Sequence, residues 1–193
     1  LGIFATYKKY SDEELMVYIQ QNEYAAFDEL HLRYSKRLFH FMLKMLNNDE
    51  AKAQDLLQDL FMKIVERPHM FDTTKKFFTW VFTIAANMCR THHRNNRVEI
   101  STDEPEVSGI RSNVEELIAQ FDAGVFDQHL GSALDNLQYE QKETFLLRFQ
   151  EGFSINEIAS MMNCSVGTVK SRIYYTTRKL AIDLQEFKLL LKR

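Results

Sequence analysis

Between Ser154 and Leu180 the sequence permits little besides two short helices joined by a tight turn. Ser154 and Glu157 stand at capping-box spacing, a start signal for the first helix. Ile155, Ile158, Ala159 and Met162 then fall on one face. Asn163 stands where the chain must reverse; a left-handed backbone is expected there, and Asn tolerates it best after Gly. Ser165 is placed to cap a second helix whose apolar residues are Val166, Val169, Ile173 and Leu180. At about 100° per residue, the opposite face carries Gly167, Ser171, Tyr174, Tyr175 and Arg178, flanked by Thr168 and Lys170. From Ser165 to Leu180 four residues are basic and none is acidic, as expected of a helix that enters a DNA major groove.

The rest of the chain also reads as helix. With 2 Pro and 6 Gly in 193 residues and no sustained strand alternation, the expected class is all-α; the one weak strand candidate, Val98 to Ser101, is too short to carry a sheet. Ser11 and Glu14 repeat the capping-box spacing and open a helix with Leu15, Met16 and Ile19 as its apolar residues. Asn22 is expected to cap a longer helix, in which Phe27, Leu30, Tyr34, Leu38, Phe41 and Met45 follow at spacings of 3, 4, 4, 3 and 4 until Asn47, Asn48 and Asp49 break it. A third helix runs from Glu50 to Glu66 and stops before Pro68. Its buried face is expected to be Ala53, Leu57, Leu60, Phe61 and Ile64. Asp55, Gln58, Asp59 and Met62 lie opposite, as a solvated face or a docking surface for another protein. His69 to Lys76 reads as a loop. A fourth helix follows with Phe77, Trp80, Val81, Ile84, Ala85 and Met88 expected inside. Its end is basic (Arg90, His92, His93, Arg94, Arg97), with no acid from Phe77 to Val98. Such an end suits phosphates, and aromatic residues beside it suit single-stranded DNA. Cys89, His92 and His93 do not converge as a zinc set, because no second Cys/His cluster lies nearby. Cys89 and Cys164 read as free thiols.

From Glu99 to Glu116 there are six acidic residues and one basic, the composition of a linker, and Val114 to Phe126 is a candidate short helix. Leu130, Ala133, Leu134 and Leu137 suggest a further helix. Glu140 to Phe149 suggests another, with Phe145, Leu146 and Phe149 inward, ended by Glu151-Gly152. The expected plan is a helical domain over 1–97, a linker over 98–126 and a second helical domain over 127–193. The net charge of -3 is informative. Duplex affinity comes largely from neutralised phosphates, so either DNA binding is weak in isolation or another protein supplies most of it. No signal peptide and no apolar run of membrane-spanning length is found, so a soluble cytoplasmic protein without membrane insertion is expected. No Gly-rich phosphate loop, nucleophile–base pair or metal cluster is found either, so no enzyme and no cofactor is expected.

The helix-turn-helix alone also resembles the output domain of some response regulators. The N-terminal half decides: Asp55-Leu56-Leu57-Gln58-Asp59-Leu60-Phe61, then Phe77-Phe78-Thr79-Trp80-Val81-Phe82-Thr83-Ile84-Ala85-Ala86-Asn87, resembles region 2 of the sigma-70 family, and Leu137 to Leu180 resembles its region 4. Without a region 3 domain, the chain resembles an extracytoplasmic-function (ECF) sigma factor from about Ser11 to Leu184. The resemblance implies a promoter-specificity subunit that binds core RNA polymerase and directs initiation at -35 and -10 elements. Asp55, Leu56, Gln58, Asp59 and Met62 would dock on the clamp coiled coil of the polymerase. Phe71, Asp72, Thr73, Thr74, Lys75 and Lys76 would capture a flipped -10 base, with Trp80, Asn87, Arg90 and Arg94 holding the opened strand. The acidic linker would thread toward the polymerase active-site channel. Region 4 would sit on the flap and read the -35 element through Ser165, Thr168, Lys170, Ser171, Tyr174, Tyr175 and Arg178. Many relatives are also held inactive by an anti-sigma factor. The chain departs from the family where Gln138 replaces Pro, Asn163 replaces Gly, Tyr175 and Ala86 replace Arg, and Thr91 replaces Asp. Arg172 points to the core flank of its helix, where it would brace the fold or reach a phosphate.

Overall fold

The computed structural model describes the backbone of residues 7–96 and 131–190 and the side chains of 7–95 and 131–183. The expected strand candidate at Val98, the acidic linker, the short helix at Val114 to Phe126, Arg97 and Leu130 lie outside the described residues. The chain divides into two compact units, Leu1–Val98 and Glu99–Arg193. All regular structure among the described residues is helical.

The first unit contains α1 (Asp12–Gln20), α2 (Ala25–Met45), α3 (Glu50–Glu66), a 3-10 turn (Pro68–Met70) and α4 (Phe77–Asn96). α1 starts at a complete capping box: Ser11 Oγ accepts from Glu14 N at 3.2 Å, and Glu14 Oε2 accepts from Ser11 N at 2.7 Å. Asn22 does not cap α2, contrary to expectation. It takes φ 67° and closes α1 instead, with Asn22 N donating to Ile19 O at 3.0 Å and Glu23 N to Tyr18 O at 2.9 Å. These two bonds are a Schellman motif. Asn47 ends α2 the same way, at φ 53°; Asp49 then caps α3, its side chain accepting from Lys52 N at 3.0 Å.

The predicted α2 stripe is buried at Leu30, Tyr34, Leu38, Phe41 and Met45, while Phe27 is half-buried. In α3, Ala53, Leu60, Phe61 and Ile64 are buried and Leu57 is half-buried. In α4 the buried residues are Phe77, Val81, Phe82, Ala85, Ala86 and Cys89, whereas Trp80, Ile84 and Met88 are half-buried. The expected and observed faces share Phe77, Val81 and Ala85. Both flanking columns of the helix are apolar, so periodicity cannot choose between them. Packing chooses, because α4 meets both α2 and α3 and the Phe82 column points between them. Phe41 and Phe82 meet edge to face with ring centroids 5.6 Å apart, and Tyr34 meets Phe77 at 5.2 Å. Ala86 is fully buried in this packing.

The second unit has a helical segment over 131–135, then α5 (Tyr139–Phe145), a π-helical turn (Leu146–Gln150), α6 (Ile155–Met161) and α7 (Val166–Leu190). The π turn shifts the register by one residue. Leu147 is therefore buried and Phe149 only half-buried, where a uniform 3.6-residue period placed Phe149 inside. Gly152 follows at φ 81°, and Phe153 N donates back to Leu147 O at 3.0 Å. Core polar residues were invisible to the periodicity. Lys142 and Glu143 are buried, and Lys142 Nζ lies 2.6 Å from Asp135 Oδ1.

The tight turn takes the expected form. Asn163 sits at φ 50°, with Asn163 N donating to Ser160 O at 3.3 Å and Cys164 N to Ala159 O at 3.0 Å. A left-handed residue with a Cβ costs roughly 1–2 kcal/mol, and Asn offsets part of that by local hydrogen bonding. Asn163→Ala is expected to destabilise the second unit by about 1 kcal/mol, and Asn163→Gly to match or exceed the parent chain, as read by amide hydrogen exchange of α6 and α7. Among the described residues no helix is long and apolar enough to cross a membrane.

Candidate nucleic-acid interface

The α3 face opposite the core carries Asp55, Gln58 and Asp59, all exposed, and ends at Met62, which is 55% exposed. Leu56 beside it is half-buried. Lys52 Nζ approaches Asp55 only to 3.8 Å, too weak and solvated an ion pair to occupy the carboxylate. Exposed carboxylates beside an adaptable thioether can offer a protein partner both charge and an apolar contact.

From Arg67 the chain turns through Pro68–Met70 and reaches Phe71, which is 2% exposed. The Phe71 ring lies 5.6 Å from that of Phe77 and 5.0 Å from Trp80. This corrects the expectation that Phe71 meets DNA: its side chain is an inward anchor. Asp72, Thr74, Lys75 and Lys76 are exposed and Thr73 is half-buried. Asp72 Oδ1 accepts from Thr74 N at 3.0 Å and from Thr74 Oγ1 at 2.7 Å, and Lys75 N donates to Asp72 O at 2.9 Å. The Thr74 hydroxyl bond, then its backbone N–H, holds the Asp72 carboxyl below its ordinary pKa. The group stays an ionised acceptor, suited to the exocyclic amine of a base. Met70, 58% exposed beside this segment, escaped the sequence reading because it belongs to no periodic element.

Along α4, Trp80, Asn87, Thr91 and Arg94 lie within about 60° of one another, and the preceding Lys76 continues that line. Trp80 is half-buried, Asn87 and Arg94 are exposed, and Arg90 is half-buried on the flank. A polar and basic column with one half-buried aromatic, Trp80, therefore runs from the loop into the basic helix end. Among the described residues, no His, Cys, Asp or Glu cluster could hold a metal ion.

In the second unit, Ser154 and Glu157 complete the capping box of α6 at 3.3 and 2.9 Å. Ser165 caps α7: its Oγ accepts from Thr168 N at 3.0 Å and lies 2.9 Å from Thr168 Oγ1. Both hydroxyls are thus engaged in starting the helix. Gly167, Lys170 and Arg178 are exposed, while Ser171, Tyr174 and Tyr175 are half-buried, with the two Tyr rings edge to face at 5.3 Å. Val169 and Leu180 are buried as expected, joined by Thr176 and Thr177; Ile173 is half-buried. Val166 is 39% exposed, contrary to expectation, because it is the first helical residue and projects past the core. In α6, Met161 takes the buried place expected for Met162, which is half-buried with Ile155.

The family model described as Sigma-70 region 2 matches residues 30–98, and that described as Sigma-70, region 4 matches residues 128–180. Among curated relatives, the RNA polymerase sigma-H factor of Pseudomonas aeruginosa is 26% identical over 194 residues, covering 90% of this chain and 94% of that protein. The ECF RNA polymerase sigma factor SigL of Mycobacterium tuberculosis is 29% identical over 167 residues, covering 85% and 92%. Among solved structures, CnrH in complex with the cytosolic domain of CnrY matches with a TM-score of 0.67 and 23% identity over 91% of this chain and 97% of that one. The sigma factor RpoE in complex with the anti-sigma factor NepR, from Bartonella quintana, matches with a TM-score of 0.62 and 25% identity over 82% and 96%.

Proposed function

The chain belongs to the sigma-70 family, in its extracytoplasmic-function (ECF) group, and from that premise we propose how its residues divide the work of a promoter-specificity subunit. It is a regulatory DNA-binding protein that directs transcription initiation with RNA polymerase, and the polymerase supplies the chemistry. Residues 1–97 carry polymerase docking and -10 recognition, 127–193 carry -35 recognition, and 98–126 join them. Asp55, Leu56, Gln58, Asp59 and Met62 contact the clamp coiled coil. Asp72, Thr73, Thr74, Lys75 and Lys76 form the base-capturing segment, and Trp80, Asn87, Arg90 and Arg94 hold the non-template strand. Lys170, Ser171, Tyr174, Tyr175 and Arg178 face the -35 major groove. Ser165 and Thr168 start that helix, the Ser165 hydroxyl holding the Thr168 N–H, and set its N-terminal end at the DNA. The protein works in the cytoplasm, where its polymerase is, and the complex of RpoE with NepR supports control of this chain by an anti-sigma factor.

The observation that carries this reading is the continuity between the exposed segment 72–76 and the Trp80-to-Arg94 face of α4. A base displaced from the duplex meets a turn rich in donors and acceptors, and the strand behind it meets a basic, partly aromatic helix. In-vitro transcription with purified core polymerase and a promoter library tests it directly. Promoter-specific initiation above core alone is expected, and its absence would sink the assignment. Within the recognition helix, Lys170→Ala is expected to weaken holoenzyme binding across promoter sequences and to lower the salt slope by about 1. An unchanged slope would remove Lys170 from the phosphate contacts.

A further inference from the structure

No residue of α1 is assigned to DNA or to polymerase, yet three of its side-chain hydrogen bonds end at the borders of the base-capturing segment. Gln20 Nε2 donates to Pro68 O at 3.1 Å and to Phe71 O at 3.0 Å. Glu13 Oε1 accepts from Phe77 N at 2.9 Å. These partners are 48, 51 and 64 residues apart in sequence. They fix the backbone immediately before Asp72 and immediately after Lys76 and leave Asp72, Thr74, Lys75 and Lys76 exposed between them.

The Glu13 bond answers a local need. The first N–H groups of a helix lack intrahelical partners, and the residue before α4 is Lys76, whose side chain has no acceptor. A side-chain cap at position 76 would accept from the N–H of Phe78 or Thr79 and leave that of Phe77 unmet, and it would cost the surface a cation. Glu13 supplies the acceptor from another helix and adds a negative charge at the positive end of the α4 dipole. Gln20 meets a parallel need, since the Phe71 ring is buried and its carbonyl must find a donor. α1 is itself held to α2: Arg33 Nη1 donates to Asp12 Oδ1 at 2.6 Å, and the Tyr34 hydroxyl donates to Asp12 Oδ2. The clamp therefore rests on a rigid base.

We propose that Gln20 and Glu13 are positioning residues for base capture, holding both ends of the 72–76 segment so that its geometry is set before DNA arrives. A segment already ordered loses less conformational entropy on binding and presents one arrangement of donors to the base. The inference rests on the reading of 72–76 as the base-capturing segment. Both are tested with reconstituted holoenzyme on a promoter recovered from the library. The readout is the ratio of affinities for a single-stranded -10 oligonucleotide and for one substituted at the captured base. Gln20→Leu keeps the side-chain bulk and removes the donor; Glu13→Leu removes the acceptor; Glu13→Gln retains one. The two leucine variants are expected to lower the ratio at least fivefold, with core affinity within twofold of the parent and Glu13→Gln restoring the parent ratio. An unchanged ratio, or a fall that follows core affinity and melting temperature down together, would overturn the positioning role. Asp72→Ala separates the two claims: if it leaves the ratio unchanged, the base-capture reading itself fails.

Discussion

Replacing both Asp55 and Asp59 with lysine is expected to abolish core polymerase binding while leaving the fold intact. Both side chains are exposed on α3 and neither contributes to the core. Lys has a better helix propensity than Asp, and the ion pair lost among the described residues is the loose one from Lys52 to Asp55 at 3.8 Å, worth about 0–1 kcal/mol at such exposure. Far-ultraviolet circular dichroism and the melting temperature should therefore be nearly unchanged. Binding responds differently. A charge-assisted bond contributes about 1.5–3 kcal/mol, two are lost, and two cations now face whatever cations the clamp presents. At about 1.4 kcal/mol per decade, the dissociation constant should rise at least 100-fold, as measured by titration of labelled core. Met62→Ala should cost about tenfold, as loss of one adaptable apolar contact. Unchanged core affinity in the double variant would show that α3 is a solvated face and that docking lies elsewhere.

The second large effect is on stability. Phe71 borders the segment proposed for base capture, where position along the chain suggests DNA contact, but it is 2% exposed and packs on Phe77 and Trp80. Phe71→Ala should destabilise the first unit by about 3–5 kcal/mol, the usual cost of emptying a buried Phe site. Trp80 is the only Trp in the chain and its ring lies 5.0 Å from that of Phe71, so urea denaturation followed by its fluorescence reports this unit alone. Lys75→Ala and Lys76→Ala, both exposed, should shift the same curve by less than about 0.5 kcal/mol and still weaken -10 use. An unchanged denaturation midpoint in Phe71→Ala would refute the role of the ring as an inward anchor.

The exposure of Asp55 and Asp59 and the burial of Phe71 mark where the sequence located a face and where it did not. Asp55 and Asp59 were legible because a charged face opposite a regular apolar stripe needs only the helical period to be located. Phe71 was not, because a residue in a nonperiodic segment carries no sign of which way it points. The inner columns of α4 failed for a related reason, since both flanks were apolar. The π turn failed because a period extrapolated through Leu146 to Gln150 assumes a constant pitch.

By itself the sequence determined the all-helical class, the capping boxes at Ser11 and Ser154, the left-handed turn at Asn163 and the basic recognition helix. Each rests on residues within a few positions of one another, where backbone sterics and local hydrogen bonds dominate. Tertiary structure alone decided that Phe82 rather than Trp80 faces the core and that Gln20 and Glu13 reach the borders of the 72–76 segment. Those outcomes depend on partners 48 to 64 residues away and on which of two apolar columns meets a neighbouring helix. Local pattern carries no record of either, because the deciding contacts exist only once the helices have packed.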